Sequence, residues 1–376
     1  MKLLFITRVD PFQIGGGAFA TRAYLDAFID LSSHVTLMLA DCCKIPKSYK
    51  DNISFVKVPD RSYLNKIFFP FTGHLHRFSS FFADYWHSLP LGTFDTVVLN
   101  GGILGDIAEF LHDKGVRIIT LHHNVERHFH LDSKTIESLY GISAFYINKN
   151  EKKALLNSSL NLTISEDDQR EFRKIYDLSD SVKIEYIGCF EYRGKELISI
   201  PSVSRAKKIV ITGSLCDYQT KDGIIYFLCE LYPLVIRNFP EYNIIIAGRN
   251  PSNKIKKICR EMAGVELVEN PSDMNCIIQQ AQLYICPTRL GGGLKLRVMD
   301  ALRNGVPVIV HSVSAKGYNL FLGKNYFKVY SSEKDFLLAL KDLLDTSVKP
   351  LTVCRDYLNV FSFEAGKKRV QKLLQL

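Results

Sequence analysis

Residues 287–308 read PTRLGGGLKLRVMDALRNGVPV and join two apolar segments of the 376-residue chain. The segment before them, Leu283–Cys286, is predicted to be a buried strand that stops at Pro287. Gly291–Gly293 are predicted to form a loop, and a helix is predicted to begin near Leu294. A strand, a glycine loop and a helix in this order predict an anion site, because free backbone N–H groups and the positive end of the helix dipole meet there.

Charged side chains follow the glycines directly. Lys295 and Arg297 place fixed positive charge where a diphosphate would lie, and Asp300 can accept hydrogen bonds from ribose hydroxyls. Gly292, Gly293 and Leu294 are predicted to offer backbone groups to the same ligand. The alternative is an ordinary glycine turn with a solvated basic face, and the residues alone leave both interpretations open.

Short apolar strands alternate with amphipathic helices on both sides of this segment. This alternation is typical of parallel sheets covered on both faces, so an α/β protein with two doubly wound domains is predicted. The predicted strands are Lys2–Thr7, His34–Ala40, Ile53–Val58, Thr96–Leu99, Arg117–Leu121, Leu160–Ile164, Lys208–Thr212, Tyr242–Ala247, Val265–Val268, Leu283–Cys286 and Pro307–Val310.

The domain boundaries follow from a break in that alternation. Residues 188–205 contain glycine, proline and serine and are predicted to be a linker between a first domain, 1–187, and a second domain, 206–356. The tail, 357–376, ends in a basic amphipathic helix that is expected to pack back on the first domain. A helix that caps the second domain is the alternative.

Composition limits the class of protein. With 47% hydrophobic and 23% charged residues, disorder is excluded, and the net charge of +9 favours an anionic partner. Nine scattered cysteines without a CxxC pair indicate neither a zinc ribbon nor a disulfide framework. The first residues do not resemble a signal peptide, and no apolar run approaches a membrane span. A cytoplasmic protein is therefore expected.

The 287–308 segment resembles the donor-binding signature of the retaining glycosyltransferases of family 4. These enzymes have the GT-B fold, in which two Rossmann-like doubly wound parallel-sheet domains face a cleft. Asp300, Ala301 and the stretch Gly305–Val308 match the second half of the signature. Gly292 stands where most members have an acid, and the Gly-Gly-Gly-x-Lys-x-Arg form is similar to a subgroup with glycine at that place.

Two further segments match the family in the same order. Gly213 and Ser214 resemble the loop that opens the second domain and contacts the donor diphosphate, although many members have a basic residue where this chain has Ser214. Arg249 resembles a strand-end element beside the nucleotide, with a plain surface arginine as the alternative. Residues 269–274 resemble the loop that holds the base.

In the first domain, His122-His123-Asn124-Val125-Glu126 follows a predicted strand, where open parallel sheets present ligand contacts. It resembles the family's H-N-x-E element, which implies that His123 contacts the donor sugar or phosphate. Glu126 would orient His123 or bind acceptor, and a helix cap is the alternative. Gly16 and Gly17 resemble the first-domain loop that faces the cleft, or form only a strand–helix turn. No carboxylate–histidine spacing suggests a metal site.

The resemblance implies a retaining glycosyltransferase that moves a sugar from a nucleotide-diphospho-sugar donor to a glycan or lipid-linked acceptor. It implies catalytic roles for His123, Glu126 and Lys295, no obligatory metal or other cofactor, and no nucleic-acid partner. Bacterial surface polysaccharide synthesis is the expected setting. The aromatic stretch 67–86 is predicted to form an acceptor groove or touch a membrane surface, with core packing of a helix as the alternative. Ser165 is expected to cap a helix.

Three other functions are weighed against this one. A nucleotide-sugar epimerase of the same fold would use water in place of the sugar acceptor. A bilobal sugar-binding protein would have two α/β domains without needing Lys295 and Arg297 at a helix start. A dinucleotide oxidoreductase should show G-x-G-x-x-G after its first strand, and residues 15–20, GGGAFA, lack that spacing.

Overall fold

The computed structural model describes residues 1–50, 53–59, 77–90, 92–126, 140–194, 205–291 and 293–375. They form two compact units: Met1–Lys195 with Ser362–Leu376, and Glu196–Phe361. Gly292, residues 67–76 of the aromatic stretch and residues 195–204 of the predicted linker lie outside the described residues. None of the described helices is long and apolar enough to cross a membrane.

The first unit is built on a parallel sheet with the strand order β3-β2-β1-β4-β5-β6-β7. Its strands are β1 (Lys2–Thr7), β2 (His34–Ala40), β3 (Ser54–Val58), β4 (Thr96–Asn100), β5 (Arg117–His122), β6 (Leu160–Thr163) and β7 (Ile184–Tyr186). The helices are α1 (Gly16–Leu31), α2 (Lys47–Lys50), α3 (Arg77–His87), α4 (Gly105–His112), α5 (Tyr140–Asn157) and α6 (Glu166–Tyr176). The central strands are buried along nearly their whole length, because a parallel sheet of this kind is covered on both faces.

The second unit repeats this plan with the strand order β10-β9-β8-β11-β12-β13. Its strands are β8 (Ala206–Ser214), β9 (Asn243–Arg249), β10 (Val265–Glu269), β11 (Ala281–Cys286), β12 (Val308–His311) and β13 (Phe327–Tyr330). Its helices are α7 (Tyr218–Tyr226), α8 (Tyr232–Asn238), α9 (Asn253–Glu261), α10 (Met274–Gln279), α11 (Leu296–Arg303), α12 (Glu333–Asp345) and α13 (Pro350–Phe361). The predicted fold class, two Rossmann-like parallel sheets, is confirmed.

Each sheet has one place where the strand order reverses direction. In the first unit this is between β1 and β4, and in the second it is between β8 and β11. Open α/β sheets bind ligands outside the carboxyl ends of the strands at such a switch point. Thr7 and Asn100 are register partners at the ends of β1 and β4. Gly213 lies at the corresponding end of β8.

Part of the aromatic stretch is core. Phe78 and Phe82 of α3 are buried against Val97 and Leu99 of the sheet and against α4. Core packing therefore accounts for these two rings, while 67–76 stay outside the described residues. The predicted cap of α6 is confirmed, since Ser165 Oγ accepts the backbone N–H of Asp168 at 3.0 Å.

The chain ends in a helix, α14 (Phe363–Leu374), which belongs to the first unit and packs on α1. Gly366 lies directly against the ring of Phe190, where no Cβ would fit. Arg369 donates hydrogen bonds to the carbonyl oxygens of Ile187 and Cys189 at 2.9 and 3.3 Å. A flat helix face at Gly366 is thus what lets α14 approach the segment after β7.

We expect Gly366→Ala to destabilise the first unit, although alanine is the better helix former by about 1 kcal/mol. The added Cβ must displace Phe190, and overpacking of this kind costs about 1–3 kcal/mol. The measurement is chemical denaturation with amide exchange of β1 and β5. Lys368→Ala, at an exposed position of the same helix, is the control and should leave both unchanged. A more stable Gly366→Ala protein would contradict this packing.

Candidate functional site

The glycine loop of the second unit connects β11 to α11. Gly291 and Gly293 have φ angles of +80° and +71°, a left-handed conformation that favours glycine. Lys295 is the N-cap residue of α11, which begins at Leu296, two residues later than predicted. Asp300 is consequently about one turn from the start of the helix.

Two buried hydroxyls donate hydrogen bonds to backbone carbonyl oxygens on either side of the glycines. Tyr318 donates its hydroxyl proton to the carbonyl oxygen of Lys295 at 2.8 Å, and Ser314 donates to that of Thr288 at 2.6 Å. Both side chains are fully buried. The backbone at Thr288 and Lys295 is therefore held by the protein before any ligand arrives, which is what an effective electrostatic site requires.

Lys295 and Arg297 both contact polar side chains of the neighbouring α7. Lys295, 7% exposed, donates from Nζ to Gln219 Oε1 at 3.3 Å. Arg297 donates to Thr220 Oγ1 at 2.8 Å and to Thr288 Oγ1 at 3.3 Å. In the part of the chain that the structure describes, no carboxylate pairs with the Arg297 guanidinium. Its positive charge is therefore oriented without being neutralised, as an anion site needs.

The end of β8 approaches these cations closely. A Cβ at Gly213 would lie 2.9 Å from Arg297 Nη1 and 2.8 Å from Thr220 Cγ2, so only glycine fits beneath the guanidinium. Gly213 pairs in register with Gly248 of β9, and a Cβ at Gly248 would meet the Gly213 carbonyl oxygen. Gly213, Arg297 and Lys295 are thus brought to one edge of the sheet.

The remaining predicted residues of this unit lie around that edge. Ser214 and Arg249 are the next register pair after Gly213 and Gly248, and Arg249 is exposed. Asp300 is partly exposed on α11. Its charge and that of Arg297 act in opposite senses on Tyr284, whose pKa burial raises. Sequence reasoning missed Gln219, Thr220 and Thr288, because nothing in the residues beside them marks a contact with Lys295 or Arg297.

In the first unit, the adjacent histidines at the end of β5 have different surroundings. His122 is 1% exposed, packs against Phe172 with ring centroids 4.8 Å apart and the rings tilted by 60°, and hydrogen-bonds Asn161 Oδ1 from Nε2 at 3.0 Å. His123 is half-buried and contacts Asn100 Oδ1 from Nε2 at 2.6 Å. Burial lowers the pKa of both imidazoles to about 4, so both are neutral at physiological pH.

Glu126 is buried beside an arginine that the sequence analysis did not single out. Its Oε1 accepts from Arg8 Nη2 at 3.5 Å, and its backbone N–H donates to Glu151 Oε1 at 2.8 Å. Tyr176 in turn donates to the other oxygen of Glu151 at 2.5 Å. Arg8 follows β1 and Glu126 follows β5, so the pair spans the switch point. Within the described residues, no group of three or more His, Cys, Asp or Glu side chains could hold a metal ion.

Gly16 and Gly17 begin α1 and are exposed. A Cβ at Gly17 would meet only Val9 Cγ1 at 3.9 Å, and nothing lies within 4 Å of one at Gly15. Packing within the protein therefore does not require glycine at Gly15 or Gly17, and a ligand contact at Gly16 and Gly17 stays a prediction.

Residues 206–346 match the family model of glycosyl transferases group 1. The match covers most of the second unit, including the glycine loop. A curated relative, an uncharacterized 44.6 kDa protein in the cps region of Klebsiella pneumoniae, is 27% identical over 162 residues. That match spans 41% of this chain and 41% of the relative.

Solved structures share the whole fold. The lipopolysaccharide outer core galactosyltransferase WaaB superposes with a TM-score of 0.70 at 16% identity, covering 100% of this chain and 99% of its own. HepE from Anabaena, in complex with UDP and glucose, has a TM-score of 0.63 at 13% identity, with coverages of 100% and 99%. At identities this low, the likeness to these structures shows the fold alone.

We expect Arg297→Ala and Lys295→Ala each to weaken binding of inorganic pyrophosphate by about 10–150-fold, since a hydrogen bond to a charged group contributes about 1.5–3 kcal/mol. Calorimetry or phosphorus NMR titration measures this. Arg303→Ala, at the other end of α11, is the matched control and should bind as the parent does. Unchanged affinity in both loop variants would remove the assignment of the anion site.

Proposed function

We propose that this chain is a retaining glycosyltransferase of family 4 that transfers a sugar from a nucleotide-diphospho-sugar to a glycan or lipid-linked acceptor. The observation that carries the proposal is Arg297, held on two threonine hydroxyls over the backbone of Gly213, within the stretch that matches glycosyl transferases group 1. HepE, of the same fold, was solved with UDP and glucose, which supports a nucleotide-sugar donor.

The setting we propose is bacterial surface polysaccharide synthesis in the cytoplasm, at the inner face of the membrane. A galactosyltransferase of lipopolysaccharide shares the fold, and the curated relative comes from a cps region. The net charge of +9 suits an enzyme that works on anionic substrates or near anionic lipid.

In this proposal the second unit binds the donor. The loop from Gly292 to Lys295 and the end of β8, Gly213 and Ser214, contact the diphosphate, and Asp300 and Arg249 contact the nucleoside. As the bond from the sugar carbon to the diphosphate breaks, negative charge grows on the leaving oxygen. Lys295 and Arg297 stabilise that charge, and because the loop is already fixed they need no reorganisation at the moment of reaction.

The first unit contributes the acceptor side. An acceptor hydroxyl forms the new bond to the sugar carbon on the face that the diphosphate leaves, and its proton passes to the departing phosphate. His123, neutral and half-buried, contacts the donor sugar. Glu126, buried and paired with Arg8, orients His123 or binds the acceptor. The charge of the diphosphate is balanced by the protein's cations without an obligatory metal, so a chelator should leave turnover unchanged.

The test begins with thermal stabilisation by UDP-, GDP-, ADP- and TDP-sugars, because a ligand that binds only the folded state raises its melting temperature. The stabilising donor, radiolabelled in its sugar, is then incubated with saccharide and lipid-linked acceptors. Transfer with retained configuration supports the proposal. Conversion of the donor to its epimer without an acceptor, or no stabilisation by any donor, would overturn it.

We expect Asp300→Ala to weaken binding of the stabilising nucleotide by about tenfold while leaving pyrophosphate affinity unchanged, since the lost hydrogen bonds go to ribose and not to phosphate. Parallel titrations with the two ligands measure the difference. Asp335→Ala, in the first turn of α12, is the control. An equal loss for both ligands would mean that Asp300 acts on the phosphate loop and not on ribose.

We expect His123→Ala to lower kcat by about 10–100-fold with little change in donor Kd, because its contact strengthens as the leaving group departs. Steady-state kinetics and donor titration separate the two effects. His122→Ala is the comparison: its loss should appear in stability, because His122 packs in the core. If His123→Ala were fully active and His122→Ala were folded but inactive, the roles would be reversed.

A further inference from the structure

The side chain of Asn100 links three elements at the switch point of the first unit. Its Nδ2 donates to Thr7 Oγ1 at the end of β1 at 3.0 Å and to Thr21 Oγ1 on α1 at 2.9 Å. Its Oδ1 contacts His123 Nε2 at 2.6 Å. Asn100, Thr7 and Thr21 are all buried, so water does not compete for these bonds.

Thr7 determines which way the Asn100 amide faces. The Thr7 hydroxyl donates its only proton to the carbonyl oxygen of Val9 at 2.8 Å, and it accepts the Val9 backbone N–H at 3.1 Å. A hydroxyl has one proton and two acceptor positions, so the remaining position can only accept. The amide must therefore present Nδ2 to Thr7, which leaves Oδ1 facing His123.

This orientation assigns the proton of His123. Because Oδ1 can only accept, the nitrogen 2.6 Å away, Nε2, carries the proton. A neutral imidazole has one N–H, so Nδ1 is an acceptor. Nδ1 is buried and, among the described residues, receives no hydrogen bond. Such an atom lacks the bond that it would make in water. Because it has no open surface in this conformation, a substrate hydroxyl can donate to it only after the side chains around it move.

The neutral state of His123 depends on the groups around the ring. Burial is the largest influence and lowers its pKa to about 4. Glu126 favours the charged form, whereas Arg8 and His122 oppose it. The ring of Tyr24 lies 5.9 Å away and carries no charge at physiological pH, because burial raises the pKa of that phenol.

We propose that Asn100, oriented by Thr7, is a positioning residue that holds His123 as the Nε2–H tautomer and so makes Nδ1 a hydrogen-bond acceptor for a substrate hydroxyl. The tautomer follows from the hydrogen bonds alone, whereas the substrate hydroxyl rests on the proposed function. A phosphate oxygen, which is itself an acceptor, is the wrong partner for Nδ1.

His122 supplies an internal control with the same chemistry. Asn161 donates from Nδ2 to the carbonyl oxygens of Leu155 and Lys183 at 3.0 and 3.3 Å, so its Oδ1 accepts from His122 Nε2. The two adjacent histidines should therefore show the same tautomer, but His122 packs against Phe172 within the core.

The first experiment is nitrogen-15 NMR of histidine-labelled protein without ligand. We expect the His123 Nε2 signal at the position of a protonated nitrogen and the Nδ1 signal at that of an unprotonated one. In Asn100→Ala both should move toward the average of the two tautomers, whereas Asn161→Ala should move only the His122 signals. A proton on His123 Nδ1 in the parent protein would overturn the proposal, whether or not the protein transfers sugar.

The second experiment is the pH profile of kcat, once a donor has been identified. In Asn100→Asp a carboxylate beside the imidazole raises the pKa of His123, so the acceptor at Nδ1 is lost at low pH and regained as the pH rises through that pKa. In the parent protein, titration of His123 should cause no change in kcat over that pH range. Asn100→Ala should lower kcat by about tenfold with the donor Kd unchanged. A parent-like profile in Asn100→Asp would contradict the proposal.

Thr7 keeps the test decisive if the Asn100 variants do not fold. Thr7→Ser retains the hydroxyl and should preserve the parent's signals and kcat. Thr7→Val has a similar shape but removes the acceptor, which frees the amide to turn and should mix the His123 tautomers. Identical His123 signals in Thr7→Ser and Thr7→Val would show that Thr7 does not orient Asn100. If His123 of the parent protein shows the Nε2–H tautomer but the protein turns over no donor, the tautomer assignment stands and the proposed transferase activity is rejected.

Discussion

The contact between Arg297 and the backbone of Gly213 is the constraint on which the candidate site of the second unit depends. The guanidinium lies where a side chain on Gly213 would be, and Gly248 must also lack a side chain for β8 and β9 to run side by side at this edge. Close approach of two backbones and a planar cation places positive charge at one edge of the sheet. The same residues would lose this arrangement if either glycine gained a Cβ.

Two backbone carbonyl oxygens near the glycines already have hydrogen-bond partners within the protein. The carbonyl oxygens of Thr288 and Lys295 accept hydrogen bonds from the buried Ser314 and Tyr318. Arg297 donates to two threonine hydroxyls, and no carboxylate among the described residues pairs with it. An anion that binds there meets an oriented guanidinium, and this arrangement favours a diphosphate over a neutral ligand.

At the switch point of the first unit, polar side chains are buried among apolar strands. Each donor and acceptor of Asn100 and Thr7 has a partner, so the network costs little to bury and holds one geometry. Glu126 is buried and pairs with the half-buried Arg8, which offsets its charge. The result is a rigid edge that carries a neutral imidazole, in contrast to the cationic loop of the second unit.

The sequence by itself determined the two parallel sheets and the strand–glycine–helix order of residues 287–308, because apolar runs and glycine positions act locally. It did not reveal β7 and β13, which are edge strands of three and four residues and too short for a periodic pattern. It also placed the start of α11 two residues early, since the chain stays extended at Lys295. Only the tertiary structure decided the partners of Arg297 and Lys295 on α7, the burial of His122 and the hydrogen bonds of Asn100. These depend on which strands become neighbours, and residues 76 or 93 positions apart in the chain, such as Gln219 with Lys295 or Thr7 with Asn100, carry no local sign that they will meet.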